Sequence, residues 1–126
     1  MTPEDFPKTF AAAFAAQDSA ALVGMLTTDA QVVTLTGAVA EDAAQAGKVF
    51  RQEFAGIFAA AKLVTGRNRL RVLGPGLAVV HQLYVVIGAR DEAGRTLPRF
   101  GAATTAVLLA TAKGWLVVSL TLSSLT

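Results

Sequence analysis

The spacing of hydrophobic residues changes near the middle of this chain, and that change constrains the fold more than any other feature. Up to about Ala61, phenylalanine and leucine recur at helical spacing in an alanine-rich background. From Leu63 onward, long β-branched runs are separated by turn signals at 74–76, 91–94 and 112–114. Each rhythm fixes which side chains share a face. The sequence therefore predicts an α+β fold in which helices come first and a meander of strands follows.

Three helices are predicted in the first half. The first begins near Pro3 or Asp5 and ends near position 17, with Phe6, Phe10 and Phe14 at every fourth position on one face. The second follows the capping residues at 18–19 and ends at 27–29. The third runs from 41–42 to about 61, with an apolar face formed by Phe50, Phe54, Ile57 and Phe58.

A short strand at 31–36 precedes the third helix, and four long strands follow it. The long strands span roughly Leu63–Leu73, Leu77–Ala89, Thr96–Thr111 and Trp115–Leu125. Their connections are short, so consecutive strands should pair antiparallel. The chain contains no repeat and no linker, and residues 1–126 are predicted to form a single domain.

The long strands are apolar at adjacent positions, as at 79–80, 85–87, 107–109 and 116–118. In an antiparallel sheet with one face exposed to solvent, apolar and polar residues would instead alternate along each strand. One face can pack on the helices, but the chain has no further element to cover the other. Hydrophobic residues make up 53% of the chain and charged residues only 16%, which adds to this excess. The pattern predicts a homodimer that buries sheet against sheet.

Composition excludes several classes of function. The chain has no cysteine, and its formal charge of +2 is too small to indicate nucleic-acid binding. The apolar runs are far shorter than the about 20 residues of a membrane helix, and the N-terminus lacks a signal-peptide pattern. No metal-ligand cluster or cofactor motif is present. We expect a cytoplasmic protein without cofactor, metal, nucleic-acid partner or membrane contact.

Several segments resemble a known superfamily. Phe10 to Asp29, a helix, a polar break and a second helix, resembles the start of NTF2-like, SnoaL-like proteins. The segments at 73–81, 91–95 and 114–118 resemble the SgcJ/EcaC-type branch. The resemblance implies a cone-shaped α+β fold, with a strongly curved sheet around a long helix and a cavity at the open end. Members include isomerases, cyclases, dehydratases and noncatalytic binding modules.

The chain departs from that superfamily at its catalytic positions. Ketosteroid-isomerase-like members have an aspartate base where Thr34 stands, and a neutral hydroxyl cannot abstract a proton near neutral pH. Their oxyanion-stabilising tyrosine matches Phe10, which offers no hydrogen-bond donor. The leading hypothesis is a binding protein with an apolar cavity, a hydrophobic small-molecule ligand and no strong catalytic machinery.

The predicted ligand-binding residues are Thr34, Phe54, Phe58, His81, Arg99 and Thr121. His81, the only histidine, either faces the cavity as a polar group or is a half-buried strand residue bonded to a neighbour. Tyr84 has the opposite strand parity to His81, so the two should face opposite sides of the sheet. The stripe that Thr121 forms with Ser119 and Ser123 could line a pocket or a dimer interface.

The sequence favours structural roles for the carboxylates and arginines. Asp29 is predicted to cap the second helix or start the next turn. Glu53 could reach the cavity mouth, but pairing with solvent or with neighbours of Arg51 is favoured. Three arginines at 67, 69 and 71 are interpreted as a solvated strand edge.

Two alternatives to a binding protein remain open at this point. The first is a cyclase or isomerase that uses His81 as an acid or base. The second is a structural dimerisation module whose cone is packed shut by Phe50, Phe54, Phe58 and Trp115.

Overall fold

Three helices and six strands make up the fold in the computed structural model, which describes residues 1–125. The helices are α1 (Phe6–Ala15), α2 (Ser19–Gly24) and α3 (Ala43–Ala55), and α3 is preceded by the short strands β1 (Leu26–Val33) and β2 (Val39–Ala40). The long strands are β3 (Lys62–Gly74), β4 (Leu77–Ile87), β5 (Phe100–Thr111) and β6 (Gly114–Leu125). The predicted α+β order of elements is confirmed.

The strands form one mixed sheet in the order β2-β1-β6-β5-β4-β3. The strands β3 to β6 pair antiparallel with their sequence neighbours, as predicted. Strand β1 runs parallel to β6 and begins at Leu26, earlier than the predicted Gln31, because the Met25 carbonyl already accepts a hydrogen bond from the Val117 N–H. Asp29 therefore lies within β1, and the prediction that it caps α2 or starts a turn is wrong.

The limits of α3 are set by two residues. Asp42 caps the start, because its side chain accepts a hydrogen bond from the Gln45 N–H at 2.8 Å. The helix ends at Ala55, earlier than predicted, because Gly56 leaves the helical region with φ −130° and ψ −108°. Turns occupy 56–60, so Ile57 and Phe58 lie beyond the helix while still packing against the core.

The sheet has an inner face that packs on the helices and an outer face on the opposite side. Along β4, Val80 and Tyr84 belong to the buried inner face, whereas His81 and Val85 are only half-buried on the outer face. The predicted opposition of His81 and Tyr84 is confirmed, because successive residues of a strand point to opposite sides.

Aromatic side chains fill the space between the helices and the inner face. The Phe14 ring lies 5.2 Å from the Phe54 ring and 5.4 Å from the Phe58 ring, centroid to centroid. The Tyr84 hydroxyl donates a hydrogen bond to the Pro7 carbonyl at 2.8 Å. All these side chains are buried, so the interior is closely packed rather than open.

Tyr84 offers a test of this packing, because it is the only tyrosine in the chain. Burial raises the pKa of its phenol, whereas the unfolded chain should ionise near the ordinary pKa of about 10. The unfolded state therefore loses a proton that the folded state keeps. We expect the free energy of unfolding to fall above about pH 10, by up to about 1.4 kcal/mol per pH unit from this group. Denaturant titrations across that range, with tyrosinate absorbance, measure the effect.

The control variant is Tyr84→Phe, which keeps the ring and removes the ionisable proton. It should cost about 1 kcal/mol at neutral pH, because the Pro7 carbonyl loses a buried donor. It should also lack the tyrosine component of the alkaline decline. If Tyr84 ionised near pH 10 in the folded protein, the buried hydrogen bond would be contradicted.

Candidate functional site

A pocket of about 320 Å³ opens where β5 begins and β6 ends, and we name it the mouth pocket. Its lining residues are Leu35, Thr36, Ile57, Phe58, Leu97, Phe100, Ser124 and Leu125. Six of these eight side chains are apolar, and two carry hydroxyl groups. An apolar lining with a few polar groups is the usual composition of small-molecule sites, and the volume lies at the lower end of their range.

A carboxylate and two hydroxyl groups meet at the edge of this pocket. Thr34 and Thr36 each donate a hydrogen bond to Oε2 of Glu53, both at 2.7 Å. Thr34 and Glu53 are buried, whereas Thr36 is exposed and lines the mouth pocket. We call these three residues the hydroxyl–carboxylate cluster.

The turn after β1 brings both threonines to the same carboxylate oxygen. The Thr34 carbonyl accepts a hydrogen bond from the Gly37 N–H, and the Thr34 N–H donates to the Ala38 carbonyl. Gly37 has φ +85°, a conformation that glycine adopts without steric cost. The chain therefore reverses direction within this turn. The hydroxyl groups of Thr34 and Thr36 come close together, with 3.2 Å between their oxygens.

Glu53 is buried, with only 7% of its surface exposed, so the favoured prediction of a solvent-facing or ion-paired side chain is wrong. Its position on α3 is the reason, because it follows the buried Phe50 by three residues and Ala46 by seven. Residues with these spacings share one face of a helix. Within residues 1–125 the ion pair of Arg95 with Asp91 is the only one, so Glu53 relies on hydroxyl donors.

The structure brings together only some of the predicted site residues. Thr34 belongs to the hydroxyl–carboxylate cluster, and Phe58 lines the mouth pocket. Phe54 is buried in the aromatic core against Phe14 and does not line that pocket. Thr36 and Glu53 were not among the predicted site residues, although the helical spacing of Glu53 carried a signal.

The other three predicted residues lie apart from the mouth pocket. His81 is on the outer face, opposite Arg69 of β3 and Thr105 of β5. Its Nδ1 lies 3.4 Å from the Thr105 hydroxyl, beside a shallow pocket of about 190 Å³. Thr121 is opposite Thr105 on the same outer face, and Arg99 is exposed just before β5. Strand alternation separates His81 and Thr121 from Thr34, because the sheet lies between them.

Other surface features offer less specific chemistry. A groove of about 620 Å³ adjoins the mouth pocket and shares Ile57 and Leu97 with it, but it runs along the charged hairpin at 90–94. In the described part of the chain, no three histidine, aspartate or glutamate side chains come close enough to hold a metal ion. None of the helices between residues 1 and 125 has the length and apolar composition to cross a membrane.

No protein-family model matches the chain, and no curated protein sequence matches it. Solved structures do match. An uncharacterized protein with a cystatin-like fold from Caulobacter vibrioides has a TM-score of 0.87 at 15% identity, covering 98% of this chain and 87% of that one. A ketosteroid isomerase-like protein from Erwinia carotovora atroseptica has a TM-score of 0.83 at 15% identity, covering 98% and 93%.

An NTF2-like protein with a cystatin-like fold from Novosphingobium aromaticivorans has a TM-score of 0.73 at 18% identity, covering 92% of this chain and 75% of that one. Identities this low show a shared fold and leave the chemistry to the site residues. The chain has the NTF2-like, cystatin-like α+β fold.

Proposed function

We propose that this protein binds a compact apolar small molecule in the mouth pocket and has no strong catalytic machinery of its own. The observation that carries this proposal is the pocket itself, an apolar concavity of about 320 Å³ with the hydroxyl–carboxylate cluster at its edge. The packed aromatic interior supports a site at the mouth of the fold, because the rings of Phe14, Phe54 and Phe58 occupy the space between the helices and the inner face.

An enzymatic role for His81 has less support. A shared site for His81 and Thr34 would need both side chains on one side of the sheet. His81 instead contacts Thr105 on the outer face, whereas Thr34 contacts Glu53 next to α3. The likeness to an isomerase-like structure therefore supports the fold and adds no acid–base pair.

We also propose that the chain belongs to the SgcJ/EcaC-type branch of the superfamily. Support comes from the segments at 73–81, 91–95 and 114–118, which fall on the hairpin between β3 and β4, the loop between β4 and β5, and the start of β6. Gly94 and Gly114 have positive φ values of +79° and +97°, so the glycines in two of these segments serve tight turns.

The ligand proposal is tested by thermal unfolding with a panel of steroid-like, polyketide-like and fatty compounds together with smaller alkylphenols. A ligand at one hundred times its dissociation constant should stabilise the protein by about 2.7 kcal/mol. The blocking variant is Ser124→Trp, because Ser124 lines the mouth pocket and an indole would occupy it. We expect this variant to lose at least about tenfold in affinity, or about 1.4 kcal/mol.

The matched control is Ser123→Trp. Ser123 is the exposed neighbour on β6 and is opposite Ala103, whose side chain belongs to the outer face, so the same indole would project away from the pocket. This variant should bind like the wild type. A panel without any stabilising compound, or equal binding by both tryptophan variants, would refute the mouth pocket as a ligand site.

A second function is favoured by the outer face, which we propose pairs with the same face of a second copy. Its half-buried or exposed apolar side chains include Leu77, Val79, Leu83, Val85, Val107, Leu109, Leu116 and Val118. Apolar side chains exposed in this number on one face mark an interaction surface, and the polar row of His81, Thr105 and Thr121 crosses that face between them. The described strands β3 to β6 contain no carboxylate, so two copies can meet there without burying an acidic group.

Charge placement favours one orientation of this dimer. Arg67, Arg69 and Arg71 lie on β3 at one edge of the sheet, and Asp29 lies on β1 near the opposite edge. A twofold axis parallel to the strands would set the arginine edge over the partner's β1 edge. A twofold axis across the strands would set arginines over arginines, and like charges repel.

Light scattering at micromolar concentration tests the dimer. The variant Leu83→Lys/Val85→Lys places two charges on the outer face, so we expect it to be monomeric while retaining the wild-type circular dichroism spectrum. The control is Val72→Lys, an exposed position opposite Ala78, which belongs to the inner face of the sheet. This control should remain dimeric. A wild-type protein that is monomeric at these concentrations would refute the dimer and leave the ligand proposal intact.

A further inference from the structure

We infer that the ligand of the mouth pocket carries a hydrogen-bond donor, a hydroxyl or N–H group, and that the hydroxyl–carboxylate cluster selects it. This inference rests on the proposed ligand-binding function and names the chemical class of the ligand. It follows from the direction of the hydrogen bonds in the cluster rather than from the shape of the pocket.

Both hydroxyl protons of the cluster are already used in hydrogen bonds. A threonine hydroxyl has one proton to donate and two lone pairs that can accept. The protons of Thr34 and Thr36 both point to Oε2 of Glu53. The Thr36 hydroxyl oxygen can therefore only accept a hydrogen bond from a ligand in the mouth pocket. A ligand oxygen without a proton finds no donor at Thr36.

The Glu53 carboxylate fixes the direction of these hydrogen bonds. An ionised carboxylate only accepts hydrogen bonds, so both hydroxyls must donate to it. Glu53 is buried, and within residues 1–125 no lysine, arginine or histidine lies within ion-pair distance of it. A buried charge without a cationic partner depends on its hydrogen bonds. Turning the Thr36 proton towards a ligand would remove one of the two.

Ser124 is the other hydroxyl residue of the mouth pocket, and its side chain is outside the cluster. Its proton can rotate to suit either kind of ligand, so it does not discriminate. The remaining lining is apolar and holds the body of the ligand. The site therefore fits an apolar alcohol, phenol or amine better than an ether, a ketone or a carboxylate of the same size.

The test compares 4-butylphenol with 4-butylanisole, in which a methyl group replaces the hydroxyl proton, by isothermal titration calorimetry. The wild-type protein should bind the phenol more tightly, by about tenfold, which is the effect of one hydrogen bond made against one lost. A third ligand, 4-butylbenzylamine, carries a cationic donor and allows its binding to be compared with that of the neutral phenol donor. Tighter binding of the amine than of the phenol would show that the charge of Glu53, and not only its hydrogen bonds, contributes to the ligand preference.

The decisive variant is Glu53→Gln, which keeps the side-chain shape and introduces an amide N–H donor. Thr36 can then accept from the amide and turn its own proton to the ligand. The phenol-to-anisole affinity ratio should fall by at least about fivefold. A purely structural defect would weaken both ligands alike and leave the ratio unchanged. The exposed Glu4→Gln variant has the same change of charge and should keep the wild-type ratio.

Substitutions at Thr36 keep the inference falsifiable if Glu53→Gln does not fold. Because Thr36 is exposed, Thr36→Val should fold and lose the preference for the phenol, whereas Thr36→Ser should retain it. Equal binding of both ligands by the wild type, or a preference for the anisole, would overturn the inference while the binding function stands. Absence of binding by any of the three ligands and by the wider compound panel would overturn the binding function and the inference together.

Discussion

The packing of phenylalanine rings between α1 and the segment at 50–58 is the interaction on which the rest of the structure depends. Phe14 contacts both Phe54 and Phe58, and Tyr84 joins the same core from the sheet. Large aromatic side chains bury much apolar surface and pack with defined geometry. Because they occupy the interior, the site that we propose for a ligand lies at the mouth of the fold. The aromatic core thus decides both the stability and the position of the pocket.

Strand alternation divides the remaining chemistry between two surfaces. Side chains of one parity complete the core, and those of the other parity form the outer face with His81 and its neighbours. The sheet separates these surfaces, so a polar group on one cannot assist a ligand on the other. This separation would allow the proposed ligand pocket and the proposed self-association surface to work without conflict between them.

The hydroxyl–carboxylate cluster is the place where the chain departs from the ordinary composition of a core. A carboxylate on the buried face of α3 lowers stability unless its oxygens find donors. Thr34 and Thr36 provide those donors, and the turn at Gly37 positions them. A local conflict of this kind is expected at functional sites, where specificity is gained at the expense of stability. In our proposal, the cluster also leaves the Thr36 hydroxyl oxygen as a hydrogen-bond acceptor facing the pocket.

The sequence by itself determined the three helices, the four long strands, their antiparallel pairing and the opposite faces of His81 and Tyr84. These follow from local periodicity and short connections, which act over a few residues. Tertiary structure decided the parallel pairing of β1 with β6, the filled interior and the contact of Glu53 with Thr34 across 19 positions of sequence. Such contacts form only when distant segments are brought together, so no local pattern encodes them.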